Sequence, residues 1–270
     1  MTEPTLATPT LTGLVRRWSV DWLNAQHPEM CEQILAPSYT LLIGGYLLGP
    51  RETYVPATMA QLERFPGLVV TTHQLVTSGN RLALVFSEHG ASARLDGKTA
   101  VWSGIALFRW NGVALTQCFA EEDYYGRRRQ FATAEPDLVD RPAIAPWDQV
   151  PQPADAAAEA VVRDWLAGPR LRSVPVVCDD EGAGQPSHDL LEVTDCRVDE
   201  VFSAGDQVAF HVGQTGAYRG GLDALDDCIG QTTTLEVAGV VTVRGGQIVG
   251  GRVIRDRLGM ARSLRENHTP

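Results

Sequence analysis

Three segments from the first half of the chain return, in the same order, in the second. "SGNRLALVFSEHGA" (78–91) aligns with "AGDQVAFHVGQTGA" (204–217), and "GIALFRWNG" (104–112) with "GVVTVRGGQ" (239–247). "DYYGRRR", from Asp123, aligns with "DRLGMAR", from Asp256. A repeat of this length with its parts in order is most simply a duplicated domain. Between the copies lies "ATAEPDLVDRPAIAPWDQVPQP", which has five prolines and no periodic apolar pattern. That is the composition of a semi-extended linker. The chain therefore reads as one domain at 1–131, a linker at 132–153 and a second domain at 154–270.

Each half begins with helix and continues as strand. "LTGLVRRWSVDWLNAQ" places Leu11, Leu14, Val15, Trp18 and Trp22 on one helical stripe. A short helix begins at Pro28, "SYTLLIGGYLL" reads as a buried strand ending in a Gly-Gly bend, and residues 49–67 return to helix, interrupted near Pro56. Strand runs follow, the last two joined by Asn111-Gly112, a strong hairpin signal between apolar segments. The second half has one clear helix, "ADAAAEAVVRDWLAG", an irregular stretch and three strand runs. It lacks equivalents of the helices at 28–35 and 50–65, so an incomplete pocket is expected there. The fold class is α+β: two tandem domains, each with N-terminal helix packed on an antiparallel sheet, the second abbreviated.

Charge narrows the function. The net charge is −10, with 11 basic and 11 acidic residues in 1–131 against 11 and 18 in 154–270. A nucleic-acid binder needs a basic face, which this balance does not provide. Five scattered cysteines without a CxxC pair, no signal peptide and no apolar run near 18 residues indicate reduced thiols in a cytoplasmic protein without a membrane span. The first ten residues, "MTEPTLATPT", read as a loose tail. The single lysine, Lys98, sits in a turn, which argues against Schiff-base and pyridoxal chemistry. The chain shows no metal-ligating H-x-H, H-x-x-x-H or Cys/His cluster, and no nucleotide or serine-hydrolase motif. Neither a metal nor a cofactor is expected.

Helices followed by antiparallel strands, with D-x-x-G at the close (Asp123 to Gly126, Asp256 to Gly259), resemble the nuclear transport factor 2-like superfamily. Within it the sequence looks most like the SnoaL-like polyketide cyclases; ketosteroid isomerases and limonene epoxide hydrolases share the fold. The resemblance is strong over Arg51–Gln130 and Val201–Arg262, and best in "VAGVVTVRGGQIVGGRVIRDRLG". It implies a curved sheet wrapping helices into a cone whose hollow holds a hydrophobic ligand, with cofactor-free catalysis by carboxylates, tyrosines or histidines. In the cyclases an aspartate of the last strand is the expected acid/base, and Asp123 and Asp256 match its position. The aspartate–arginine–aspartate set of the epoxide hydrolases is not evident. The second domain is expected to pack its sheet on the first as an intramolecular pseudo-dimer, with further homodimerisation open. One fold hosts many reactions, so function must come from the site.

Side chains alternate along a strand, so Phe119, Glu121 and Asp123 share one face. Two carboxylates two residues apart lie roughly 7 Å apart, and in an apolar hollow at least one would hold its proton to higher pH. Asp123 is thus the candidate acid/base and Glu121 its tuning partner. The competing reading ends the strand there, with the acids in water beside Arg127, Arg128 and Arg129, where surface pairs contribute little. Asp256 lacks a paired acid, since Ile254 stands in the place of Glu121, so a structural role is expected. His73 and His89 are candidate orienting groups, each set against an ordinary half-exposed strand-end histidine. His211, aligned with Val85 in an apolar run, reads as a satisfied core or interface residue. Tyr39, Tyr46 and Tyr54 could reach an oxyanion or be core aromatics, and Trp102 and Phe119 could line the wall. Together these point to a cyclase, isomerase or dehydratase acting on a polyketide-, terpenoid- or steroid-like molecule. The alternative is a non-catalytic ligand-binding or assembly module.

Overall fold

A computed structural model describes residues 10–268 except 183 and 186, so the expected tail lies, apart from Thr10, outside the described residues. Thr10 opens the first helix: its hydroxyl accepts from the Gly13 N–H at 3.0 Å, pairing a donor that a helix start leaves free. α1 (Leu11–Arg16) runs on as a π-helical segment, Arg17–Asn24, and the whole stripe from Leu11 to Trp22 is buried. After the short α2 (Cys31–Ile34), β1 (Leu35–Ile43) turns at Gly44-Gly45 into β2 (Tyr46–Leu48). This segment is mostly half-exposed rather than buried. α3 (Arg51–Arg64) continues through Pro56, which corrects the expected interruption. Pro56 and Glu52, whose carbonyl loses its donor, both lie on the exposed face, where water supplies the bond.

β3 (Val69–Ser78), β4 (Arg81–Ala91), β5 (Thr99–Trp110) and β6 (Leu115–Glu122) complete the first sheet, in the order β2-β1-β6-β5-β4-β3. α4 (Tyr124–Thr133) follows. The second half runs α5 (Ala156–Leu166), β7 (Val177–Cys178), α6 (Asp179–Gly182), β8 (Leu191–Ala204), β9 (Gln207–Tyr218), β10 (Thr232–Arg244), β11 (Gln247–Arg255) and α7 (Arg257–His268). Its sheet, β7-β11-β10-β9-β8, repeats the first without a counterpart of β2. In both sheets the strand after the first helices pairs in parallel, β1 with β6 and β7 with β11, and every other pairing is antiparallel.

The ladders adjust one sequence alignment. Glu122 stands opposite Gly104, and Arg255 opposite Val237, so Gly239 corresponds to Ala106 rather than Gly104. The two-residue shift preserves the face of every side chain. The other equivalences hold: Glu88 faces Trp102 across the ladder, as Gln214 faces Leu235.

D-x-x-G explains itself as a helix start. Asp123 caps α4 by accepting from the Gly126 N–H at 2.8 Å, and Asp256 does the same for α7 through Gly259 at 2.9 Å. A Cβ on either glycine would collide with the capping carboxylate.

The layers run helix, sheet, sheet, helix. In the first half Trp18, Trp22, Tyr54 and Leu62 pack on Leu84, Phe86, Trp102 and Phe108; in the second Val162, Trp165 and Leu166 pack on Phe210, Val212 and Val237. Between the sheets Val85, Ile105, Leu107 and Phe119 meet Phe202, Ala209, Val240 and Ile254. The linker is pinned rather than loose. Ala143 and Gln152 donate to the Thr72 and Thr77 carbonyls (2.8 and 3.0 Å), which covers the open edge of β3. No helix among the described residues is long and apolar enough to cross a membrane.

Candidate active site

Because the first sheet is covered on both sides, its alternating side chains serve two different environments. Phe86 and Glu88 of β4 and Cys118, Ala120 and Glu122 of β6 face the helices. With Trp18, Tyr54, Gln61, Leu41 and Leu48 they line a cavity of about 110 Å³. Its wall is largely apolar, and its polar end is a pair of carboxyls. Glu122 Oε2 accepts from the Trp102 indole N–H at 2.9 Å, and Glu88 Oε2 from Gln61 Nε2 at 3.4 Å. The two carboxyl groups lie within hydrogen-bonding reach of each other.

Burial is the main cause that raises both acids above the ordinary carboxylate range, and the Glu122 charge pushes Glu88 up further. For Glu122 the Trp102 N–H and the Arg127 charge favour the ionised form and partly offset burial. Burial and the neighbouring like charge both favour the neutral form, and more strongly for Glu88 than for Glu122. The cation acting on the pair, Arg127, sits among rings: its guanidinium carbon lies 4.2 Å from the Tyr124 centroid, 4.7 Å from Trp102 and 5.1 Å from Phe65, and its Nη1 has no hydrogen-bond partner among the described residues.

Among the residues expected to form the site, Tyr54 lines the cavity and Trp102 reaches it through Glu122. Tyr39 is buried against Tyr54, with ring centroids 4.9 Å apart, and its hydroxyl has no hydrogen-bond partner among the described residues. Tyr46 is 62% exposed on the β1–β2 hairpin, so it does not cover the cone. Asp123, expected in the hollow, is the α4 cap and pairs with Arg257 Nη2 of the second half at 2.7 Å. Phe119 and Glu121 do share a face, but it is the face turned to the second sheet. His73 and His89 lie with Ser87 on that same side of β4. The Ser87 hydroxyl is 2.7 Å from His73 Nε2 and 2.8 Å from His89 Nε2, while His73 Nδ1 donates to the Arg141 carbonyl at 3.0 Å.

The sequence reading missed the pair because "LALVF" is apolar at every position, so alternation gives strand but not phase. Glu88 and Glu122 were visible as acids next to the candidates; what was missing was which face met the helices.

A second polar centre lies between the sheets. His211 is fully buried, with Nε2 3.1 Å from Glu121 Oε1 and Nδ1 3.0 Å from Asp199 Oδ2. Burial opposes its charge, but hydrogen bonds from both ring nitrogens to carboxylates raise its pKa to about 9. Burial lifts Glu121 to about 7, against the pull of His211. Glu121 Oε1 also accepts from the Gly44 N–H at 3.0 Å, tying the β1–β2 turn to β6 at the point where Glu121 meets His211. Gly44 needs its missing side chain, having a φ of 55° and space for a Cβ only 2.9 Å from Asp256 Oδ2. Asp199, His211 and Glu236 are spaced to hold a metal ion. Arg197 already bonds both acids, at 2.9 and 3.0 Å to Asp199 and 2.8 Å to Glu236, and so supplies their countercharge.

No protein-family model and no curated protein matches the sequence. Solved structures similar to it include a putative polyketide cyclase from Acidithiobacillus ferrooxidans, 17% identical, covering 48% of this chain and 100% of that one at a TM-score of 0.42. A putative SnoaL-like polyketide cyclase from Jannaschia sp. CCS1 is 14% identical, covering 50% and 100% at 0.43. A putative polyketide cyclase from Streptomyces antibioticus, IdmH, is 13% identical, covering 46% and 99% at 0.41. Each spans about half of the chain, and the likeness is one of fold.

Proposed function

We propose that the first domain is a cofactor-independent acid/base catalyst whose working groups are Glu88 and Glu122. The observation that carries this is the pair itself: two carboxyls within reach of one proton, inside an apolar cavity. Burying carboxyls without ion pairs is costly, and a purely structural module gains nothing from it.

The chemistry follows from the charge distribution. Glu88, holding the proton, donates it to a substrate carbonyl oxygen while ionised Glu122 takes a proton from the adjacent carbon. The product is an enol, and the two carboxyls have exchanged roles. With a β,γ-unsaturated ketone, Glu122 returning the proton to the γ-carbon while Glu88 takes back the enol O–H proton isomerises the substrate, with no net proton gained or lost. The Trp102 N–H and Arg127 stabilise Glu122 while it is charged. Size limits the substrate. Drug-sized ligands occupy roughly 300–1,000 Å³, whereas a cavity of about 110 Å³ suits a single ring or short chain. A small ketone therefore fits better than the multi-ring polyketide or steroid expected from the sequence.

The test is deuterium incorporation from D2O into the α-carbons of cyclohexanone and other small ketones, followed by NMR. The native chain should exceed buffer, and Glu88→Gln and Glu122→Gln should not. Equal exchange by the native chain and both variants would overturn the assignment.

A further inference from the structure

The charge balance of the first cavity leaves room for one positive charge. Glu88 and Glu122 together bring two potential negative charges and Arg127 one positive. Among the described residues neither carboxylate has an ion-pair partner within 4.0 Å. Glu88 is 5% exposed, lines the cavity and receives one long hydrogen bond. The other titratable groups packed around the pair are neutral at pH 7. Burial pushes Tyr54 of α3, Tyr39 of β1, Cys118 of β6 and Tyr124 of α4 above their usual ranges. The shared proton therefore makes the site electrically neutral.

We propose that this cavity is an exchange site in which a small organic ammonium ion replaces the proton shared by Glu88 and Glu122. The inference rests on the acid/base reading of that pair and adds the class of ligand it takes. An ammonium ion restores the same neutrality as the proton and meets an aromatic wall of Trp18, Tyr54 and Phe86. A closed cavity of about 150 Å³ accepts benzene; this one is smaller, at about 110 Å³, but open to solvent on one side, so a compact ion such as tetramethylammonium seats part of its bulk inside and the rest at the mouth. An anion could meet Arg127 Nη1, which has no hydrogen-bond partner among the described residues, but would add to the two carboxyl charges, so a cation suits the charge balance better. Bound cation takes the proton away to solvent and so silences the acid arm of the pair.

The experiment is calorimetric titration of the full chain with tetramethylammonium chloride, in buffers of differing ionisation enthalpy, with tert-butanol as neutral comparator. The expected result is release of close to one proton per cation at pH 7, with affinity rising up to about tenfold per pH unit while the pair remains protonated. Glu88→Gln and Glu122→Gln should lose the cation and keep tert-butanol. Equal binding of tert-butanol and cation by the native chain overturns the proposal, as does absence of cation binding. If cation binds without proton release, the shared proton itself is disproved and the acid/base reading falls with it. If the cation does not bind while ketone exchange persists, only the cation site falls.

Discussion

The two cones share a strand order but put opposite chemistry at the same ladder positions. Where the first has Glu88, Trp102 and Glu122, the second has Gln214, Leu235 and Arg255. Gln214 Nε2 donates to the Leu166 carbonyl at 3.0 Å. Arg255 pairs with Asp179 at 2.8 Å and donates to the His188 carbonyl at 3.0 Å. Every polar group named there has a structural partner, and the space left beside them is about 10 Å³. In the first cone the acids have few partners and a real cavity. Equivalent positions thus close one cone and open the other, and polar groups left short of partners mark the one available for chemistry.

The strongest way to break the comparison is through the acids. Glu122→Gln or Glu88→Gln should lower ketone exchange by about 10²–10⁴-fold, whereas Gln214→Glu in the second cone should change nothing. Loss of exchange from the second-cone variant would mean that both cones work together.

Next in size is the seam between the halves. His211→Ala strands Glu121 and Asp199 without their buried partner, which costs about 3–5 kcal/mol, or roughly 6–20 °C in Tm. The pH dependence has a definite sign. The folded pKa of His211, about 9, lies above its ordinary 6.5, so its contribution is complete below that value and fades as pH rises toward 9. Glu121, raised from 4.5 to about 7, acts in the same direction over a lower window. Asp199, lowered to about 2, acts oppositely and matters only in acid. Thermal melts of the native chain should therefore fall between pH 7 and 9.5, and His211→Ala should flatten that slope. A native Tm constant over this range would contradict the seam's protonation.

The smallest expected effect separates the two D-x-x-G aspartates. Asp256→Ala should cost about 1 kcal/mol as a lost cap. Asp123→Ala should cost more, because Arg257 also loses a partner. Asp123→Asn keeps a capping oxygen and should keep ketone exchange; loss of exchange with an unchanged melt would return Asp123 to the chemistry.

The duplication was legible because the repeated segments keep their order and their turn residues, so the two halves can be laid side by side. The α+β class followed from helix periodicity giving way to strand. The site was not legible, for reasons seen in particular residues. Glu121 and Glu122 are neighbours, and only the packing of the second sheet on Phe119 and Ile105 decides which of them enters the cavity. His211 was read as a satisfied core or interface residue, and it is satisfied at the interface, since a lone histidine in "VAFHV" must find partners when buried. Its partners, Glu121 and Asp199, lie 90 and 12 residues away, and no spacing announces them.

Infrared spectroscopy of the carboxyl C=O stretch reads the shared proton itself, since the difference between native chain and Glu122→Gln at pH 7 isolates it. Protonated-carboxyl intensity is expected in the native chain beyond that of the variant, because Glu88 alone is balanced by Arg127 whereas Glu121 contributes equally to both. Identical spectra from the two proteins would contradict a shared proton in the first cone.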